Sequence, residues 1–424
     1  MMKRILTYII ICCYTISVQA QSRHAIYWSK ETKHTWENLR DNFLQNNFYI
    51  GMHNDGREAL DEQGILQNRT AFYSTVSSRK STDFKSDFQR IAGAYPTMTE
   101  TDFHSYAINR TDIQYKESQK KALINYIIHY HNTIGGLSTI SCHMPNPWWY
   151  EEKEGDAADF RYISSKHPNV VAEILDGKTR LNQVQTVKEK FDEQLDEFIQ
   201  MLNQLKDYKG KKIPVVIRLF HEASGDWFWW GDGHCSHEEY KQLFRYTVEK
   251  ITKNCNHVII GYTPDRNWNS MEKTDKFMNR YPGNEYVDII GFDNYGIQDK
   301  ESIQTTIKQL RMLSDFAKQY NKVVALTETG NNSLTVPNWF TQCLEPCVTA
   351  QGVNLAYVEI YGSWSSDGGF FFPYKKNSNE AKDFRKFYKN DFIIKGRNTK
   401  KVTSNPQLSS SASFLRLNVL SSLN

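Results

Sequence analysis

A (β/α)8 barrel is the fold this sequence predicts, and three observations point to it. Eight short apolar runs alternate with longer amphipathic segments along the 424-residue chain, the pattern of parallel strands joined by helical crossovers. Nearly every run ends near a polar or aromatic residue: His53, His143, Glu222, Asp293, Tyr295, Glu328 or Trp364. Barrels of this kind gather their functional groups at the C-terminal ends of the strands. A doubly wound open sheet is the alternative, weakened because no Gly-rich phosphate turn follows any run.

In chain order the predicted strands are Phe48–Gly51, Ile91–Tyr95, Gly136–His143, Val215–Glu222, Val258–Thr263, Val287–Tyr295, Val323–Glu328 and Ala356–Tyr361. Each is a short run rich in apolar residues, the signal of a strand buried on both faces. Helical periodicity falls between them, at Glu117–His131, Gln183–Tyr208, His237–Thr252, Glu301–Tyr320 and Val336–Ala350. No internal repeat is visible.

The chain is 39% hydrophobic and 13% aromatic, ample for a core and incompatible with general disorder. The formal net charge of +4 comes from the ends. Lys3 and Arg4 open the chain, and Lys395, Arg397, Lys400, Lys401 and Arg416 lie in a final stretch without acids. The body is slightly acidic, so charge gives no case for nucleic acid as a partner.

Residues 1–20 read as a secretory signal peptide. The basic Lys3-Arg4 start is followed by the apolar stretch Ile5 to Ile16 and the small-residue site Val18-Gln19-Ala20. That apolar stretch is too short to span a membrane, and Ile11 before Cys12 is bulkier than lipid-attachment sites accept. The expected organisation is a signal at 1–20, a catalytic domain at 21–395 and a polar, disordered tail at 396–424. The product would be an exported protein, periplasmic or secreted, with a monomer favoured. Five cysteines remain after cleavage: Cys142, Cys235, Cys255, Cys343 and Cys347. The odd number leaves at least one unpaired within the chain. Cys235–Cys255 or Cys343–Cys347 disulfides stand beside isolated buried thiols as open alternatives, and the spacing fits no metal motif.

The most informative segment is Arg218-Leu219-Phe220-His221-Glu222-Ala223-Ser224-Gly225-Asp226-Trp227-Phe228-Trp229-Trp230-Gly231. It sets a carboxyl group beside a histidine and a few residues from a cluster of indole rings. Apolar walls raise a carboxyl pKa, so Glu222 is a candidate proton donor. A second carboxyl, Glu328, ends the seventh run, about three βα units downstream. Two carboxyls at one rim of a closed barrel converge on one bond, the arrangement of glycoside hydrolysis. Strand alternation would put Glu222 on the face of Phe220 and Arg218, and Glu328 on that of Leu326 and Val324. Arg218 is read as pairing with an acid inside the barrel, and Glu359 as a buried partner of that kind and not a third catalytic acid.

The segment Arg218–Gly231 resembles the acid/base motif of glycoside hydrolase family 26, the β-mannanases and relatives. The resemblance extends to His143 with Asn146-Pro147-Trp148, to Gly291-Phe292-Asp293-Asn294-Tyr295, to Glu328 and to Trp364, over roughly residues 30–390. It implies a (β/α)8 barrel with Glu222 as acid/base and Glu328 as nucleophile. His221 would lie under the sugar in the −1 subsite, which Trp227 helps to wall, and His143 would bind substrate. Tyr295 would hydrogen-bond the nucleophile and keep it ionised, with Asp293 orienting its neighbours. Trp148 and Trp364 would stack on pyranose faces, while Trp229 and Trp230 pack behind the acid.

The chain departs from the family pattern in two places. Ala223-Ser224 stands where Met-Asn often follows the glutamate, and the turn Gly51–Gly56 matches so loosely that His53 is left out of the site. The implied activity is retaining hydrolysis of β-1,4-mannosidic bonds in β-mannan or manno-oligosaccharides, with no cofactor and no metal. Mixed-linkage β-1,3/1,4-glucan or β-1,3-xylan are alternative substrates, and a non-catalytic glycan-binding barrel is the alternative of another class. The long stretches Pro96–Tyr115 and Asn146–Asp176 are long enough to close the far subsites, so internal cutting and mannobiose release both stand open; an exported enzyme that meets imported oligosaccharides points towards mannobiose or short products.

Overall fold

The computed structural model describes residues 22–75, 85–103, 113–152, 157–160, 166–266, 275–363 and 369–396. Residues 1–21, which include the expected signal peptide, the residues beyond 396 and Trp364 lie outside the described residues, as does much of the two long stretches after the second and third strands. Eight parallel strands close on themselves as predicted. They are β1 (Phe48–His53), β2 (Met98–Asp102), β3 (Leu137–Cys142), β4 (Val215–Leu219), β5 (Val258–Tyr262), β6 (Ile289–Asn294), β7 (Val323–Thr329) and β8 (Tyr357–Ile360). Each pairs with the next in order, and β1 closes the ring by pairing with both β8 and β2. A two-residue strand, β9 (Ile393–Ile394), adds to the start of β1. This is a TIM barrel.

Amphipathic helices wrap the barrel, and their ends are set by local chemistry. Thr186 opens Val187–Gln204 and Ser236 opens His237–Asn254, each through a capping box with the glutamate three residues on. The stretch predicted as a single helix over 336–350 instead folds as a π-turn, Phe340–Leu344, running into the short helix Glu345–Val348. Among the described residues no helix is long and apolar enough to cross a membrane. All five cysteines described are unbridged, so neither proposed disulfide forms.

The second strand is not where the apolar run lies. Ile91 belongs to the helix Asp87–Ala92, which Ser86 caps and Gly93, at φ 82°, terminates. The strand is the polar segment Met98-Thr99-Glu100-Thr101-Asp102, fully buried along its length. Its acid points into the barrel, where Arg218 from β4 meets it. A strand whose partners are charged carries no apolar signature, so a hydrophobic criterion passes over it.

Candidate active site

Two backbone irregularities aim the central carboxyl groups. On the first, β4 ends at Leu219, earlier than the sequence pattern implies. Phe220 and Glu222 then adopt positive φ, 47° and 54°, the left-handed region that β-strand residues avoid. The alternation rule therefore fails here. The Phe220 ring leaves the barrel and packs among Phe191, Trp229, Trp230 and Tyr240, while Glu222 turns to the rim. A backbone bond from Glu222 N to Thr263 O, 2.8 Å, ties that turn to the end of β5.

The second irregularity is in β7. Its register against β6 shifts, so that Phe292 faces Leu326 but Asp293 faces Glu328. One extra residue is thereby inserted, and Thr327 and Glu328 both reach the interior. Thr327 Oγ1 donates to Asp293 Oδ1 at 2.6 Å, and Glu328 is held by Arg218 and Tyr295. Simple alternation with Leu326 misassigned this residue's surroundings for the same reason. Bulges beside active sites are a common device for re-aiming a side chain.

Arg218 is the hub. Its Nε and Nη2 donate to Glu100 Oε1 at 3.0 and 2.6 Å. Nη1 donates to Asp293 Oδ1 at 2.7 Å, and Nη2 donates also to Glu328 Oε1. The arginine is fully buried, so these bonds are what make its charge tolerable. Removing one partner from such a pair costs about 3–5 kcal/mol. Tyr295 Oη completes the shell by donating to Glu328 Oε2 at 2.5 Å.

Glu222, Asp293 and Glu328 bring one carboxylate oxygen each to within 4.8 Å of one another. Burial, reinforced by the negative charges of Asp293 and Glu328, pushes the Glu222 carboxyl well above the usual carboxylate range, against a hydrogen bond from Trp227. Trp227 Nε1 donates to Glu222 Oε2 at 2.8 Å. Burial also raises Asp293 to about 8, with Glu328 adding to the rise and Arg218 opposing it. Three carboxylates this close are also a possible cation site, but a guanidinium bonded to two of them already supplies positive charge.

His221 and His143 stand beside this group. Burial drives the His221 imidazole well below its ordinary pKa, with His143 and Arg218 adding to the effect, so it is neutral at physiological pH. Its backbone carbonyl accepts Trp230 Nε1 at 2.9 Å, and its ring meets His143 edge-on at 4.6 Å. His143 Nδ1 is bound to the carboxylate of Asp102 at the end of β2. Trp229 and Trp230 are fully buried. Trp229 Nε1 donates to Met144 O at 2.7 Å, which locks the loop after β3 to the loop after β4. Trp148 is held against the helix Val170–Asp176. Its ring stacks on His167 at 3.6 Å and its Nε1 donates to Glu173 at 2.6 Å.

Several residues of the site were not assigned to it from the sequence. Asp102 lies on the polar β2. His53 stacks on Tyr361 at 4.5 Å and 13° between planes. Tyr361 in turn meets Tyr295 edge-on at 5.8 Å, and Phe371 is 5.2 Å from each of these tyrosines. The turn after β1 does reach the site through His53, which the loose motif match had left out. A buried carboxyl with an oxygen within 4.8 Å of one on a second carboxyl, itself bonded by a cation and a phenol, suits acid-assisted cleavage of a glycosidic bond.

The sequence profile of Glycosyl hydrolase family 26 matches residues 61–396. A mannan endo-1,4-β-mannosidase of Bifidobacterium adolescentis is 33% identical over 224 residues, 51% of this chain and 20% of that protein. An endoglucanase H of Acetivibrio thermocellus is 31% identical over 172 residues, 38% of this chain and 19% of that protein. The chain thus spans about a fifth of the length of these two relatives. Among solved structures, a family 26 β-mannanase of Bacteroides ovatus superposes with a TM-score of 0.68 at 26% identity, covering 87% of this chain and 95% of that one.

Proposed function

We propose that this chain, which belongs to glycosyl hydrolase family 26, is a retaining hydrolase of β-1,4-mannosidic bonds in mannan or manno-oligosaccharides. The observation that carries the reading is the approach of Glu222 and Glu328 to within 4.8 Å, one favoured in its acid form and the other bonded by Arg218 and Tyr295. In this reading Glu222 gives its proton to the leaving glycosidic oxygen as Glu328 attacks the anomeric carbon. The C–O bond breaks and a glycosyl ester forms on Glu328. Water then enters, loses a proton to Glu222 and displaces Glu328, restoring both groups.

The remaining residues take supporting roles. Neutral His221 and Asp102-bound His143 offer hydrogen bonds to the sugar hydroxyls, and Trp227 orients the acid while walling the site. Tyr295 and Asp293 hold the nucleophile and its arginine in register. Trp148 and Trp364 are proposed as stacking surfaces for more distant sugar rings. The reaction as proposed needs no metal or cofactor. The substrate assignment is supported by the mannan-cleaving relative and the Bacteroides ovatus structure. The endoglucanase relative favours a second reading, cleavage of a β-glucan by the same chemistry. Release of mannobiose or other short products, and export directed by residues 1–20, belong to the same proposal.

The test is direct. Incubated with β-mannan, mixed-linkage β-glucan and β-1,3-xylan, the enzyme should release reducing sugar from mannan at least about tenfold faster than from the others, the discrimination that about 1.4 kcal/mol of transition-state binding gives. Preference for glucan or xylan overturns the substrate assignment. Binding of mannan without release of sugar turns the chain into a glycan-binding barrel.

A further inference from the structure

The interior beneath the site is charged where barrels of this type are filled with Val, Ile and Leu. Strands β2, β4, β6 and β8 send Glu100, Arg218, Asp293 and Glu359 inward, and all four are fully buried. With Glu328, and Glu222 at the rim above, five carboxyl groups share this region with one guanidinium. A single cation in a dry interior does not offset five anions, so protons must reside on some of them. The reaction uses Glu222 and Glu328, which leaves Glu100 and Glu359 without an assigned purpose.

Their contacts differ. Glu100 Oε1 takes two bonds from Arg218, while its Oε2 has no hydrogen-bond partner among the described residues. Neither oxygen of Glu359 bonds a side chain among the described residues, and the Glu100 backbone gives its carboxyl a hydrogen bond. The Glu359 carboxyl occupies space left by Gly51 on β1, where even a methyl group would overlap it. It was expected to pair with arginine and does not.

We propose that Glu100 is a positioning residue for the nucleophile, acting through Arg218, and that Glu359 beside it stands as a neutral acid. Arg218 Nη2 is shared between Glu100 and Glu328. Glu100 therefore fixes where the guanidinium sits and takes part of the positive charge that would otherwise fall on Glu328. Besides Asp293, the titratable groups facing this arginine are Tyr357 and Glu359 on β8, His53 at the end of β1, and His221. From β5 it meets the Thr263 hydroxyl. Burial raises both Glu100 and Glu359 well above the usual carboxylate range, Arg218 opposing in each case.

The inference rests on Glu328 being the nucleophile, so Glu328→Ala is measured alongside. Glu100→Gln keeps the oxygen that accepts from Arg218. Its plateau kcat should therefore stay within about tenfold of wild type, because the anchor of the guanidinium is retained. Glu100→Ala removes the anchor, and its plateau kcat should fall by roughly 10²-fold with KM little changed, the signature of a group acting only in the transition state. Glu359→Gln replaces one neutral group by another and should leave the acidic limb of the pH–rate profile where it is. A plateau in Glu100→Gln as low as that of Glu100→Ala, or an undiminished plateau in Glu100→Ala, overturns the positioning role. A shifted limb in Glu359→Gln overturns its neutrality. If Glu328→Ala keeps its rate, the nucleophile assignment itself has failed, a result separate from these.

Discussion

Glu328→Ala should lower kcat on manno-oligosaccharides by roughly 10⁵-fold or more, on the scale seen when a covalent nucleophile is removed from a hydrolase. KM for the residual turnover should change much less. The expectation follows from where the side chain sits. Arg218 and Tyr295 each give a hydrogen bond to it, and the bulge in β7 turns it inward. Alanine keeps the backbone and leaves a cavity bordered by those two donors. A small anion should fit there. Azide, with an activated aryl β-mannoside as donor, should therefore restore product formation and give the α-glycosyl azide, the outcome of one displacement on the face that Glu328 occupied. A β-azide, or a variant within tenfold of the wild-type rate, removes Glu328 from the role.

Glu222→Ala should behave differently with different leaving groups. On mannan, whose leaving alcohol needs a proton, the loss should be about 10²–10⁴-fold, the usual contribution of a positioned general acid. On an aryl β-mannoside with an acidic phenol, bond cleavage should be far less impaired. Azide should then accelerate breakdown of the glycosyl ester and yield the β-azide, since two displacements preserve configuration. The wild-type pH dependence carries the same signature. Burial and the neighbouring acids raise Glu222 well above the usual carboxylate range. The productive acid form thus persists through neutral pH, and kcat/KM falls only as pH rises past that elevated pKa. That basic limb should disappear in Glu222→Ala. A limb that survives assigns it to another group, and equal losses on mannan and aryl mannoside rule out general-acid assistance by Glu222.

What the sequence could reveal depended on whether a residue obeyed strand periodicity. The barrel and seven of its strands were legible because apolar runs repeat between helical segments. β2 was not, because its inward residues answer charge with charge: Glu100 faces Arg218, and Asp102 binds His143. Glu222 and Glu328 were visible as strand-end carboxyls in distinctive surroundings. Their orientation was not, since it depends on two left-handed residues after β4 and one inserted residue in β7, which no alternation rule encodes. The tryptophans divided as their sequence positions suggested. Trp227 bonds the acid, while Trp229 and Trp230 are sealed into the wall behind it. His53 ends β1, Tyr361 directly follows β8 and Phe371 lies beyond it, and only the closed barrel brings them beside Tyr295.

The central claim is a double displacement at one anomeric carbon, in which Glu222 and Glu328 act within 4.8 Å of each other. Proton NMR of manno-oligosaccharide hydrolysis, recorded before mutarotation equilibrates the products, tests it most directly. The account predicts that the first reducing-end signal to appear is that of the β-anomer, with the α-anomer growing in later. Initial appearance of the α-anomer would contradict it, since that is the product of a single direct attack by water.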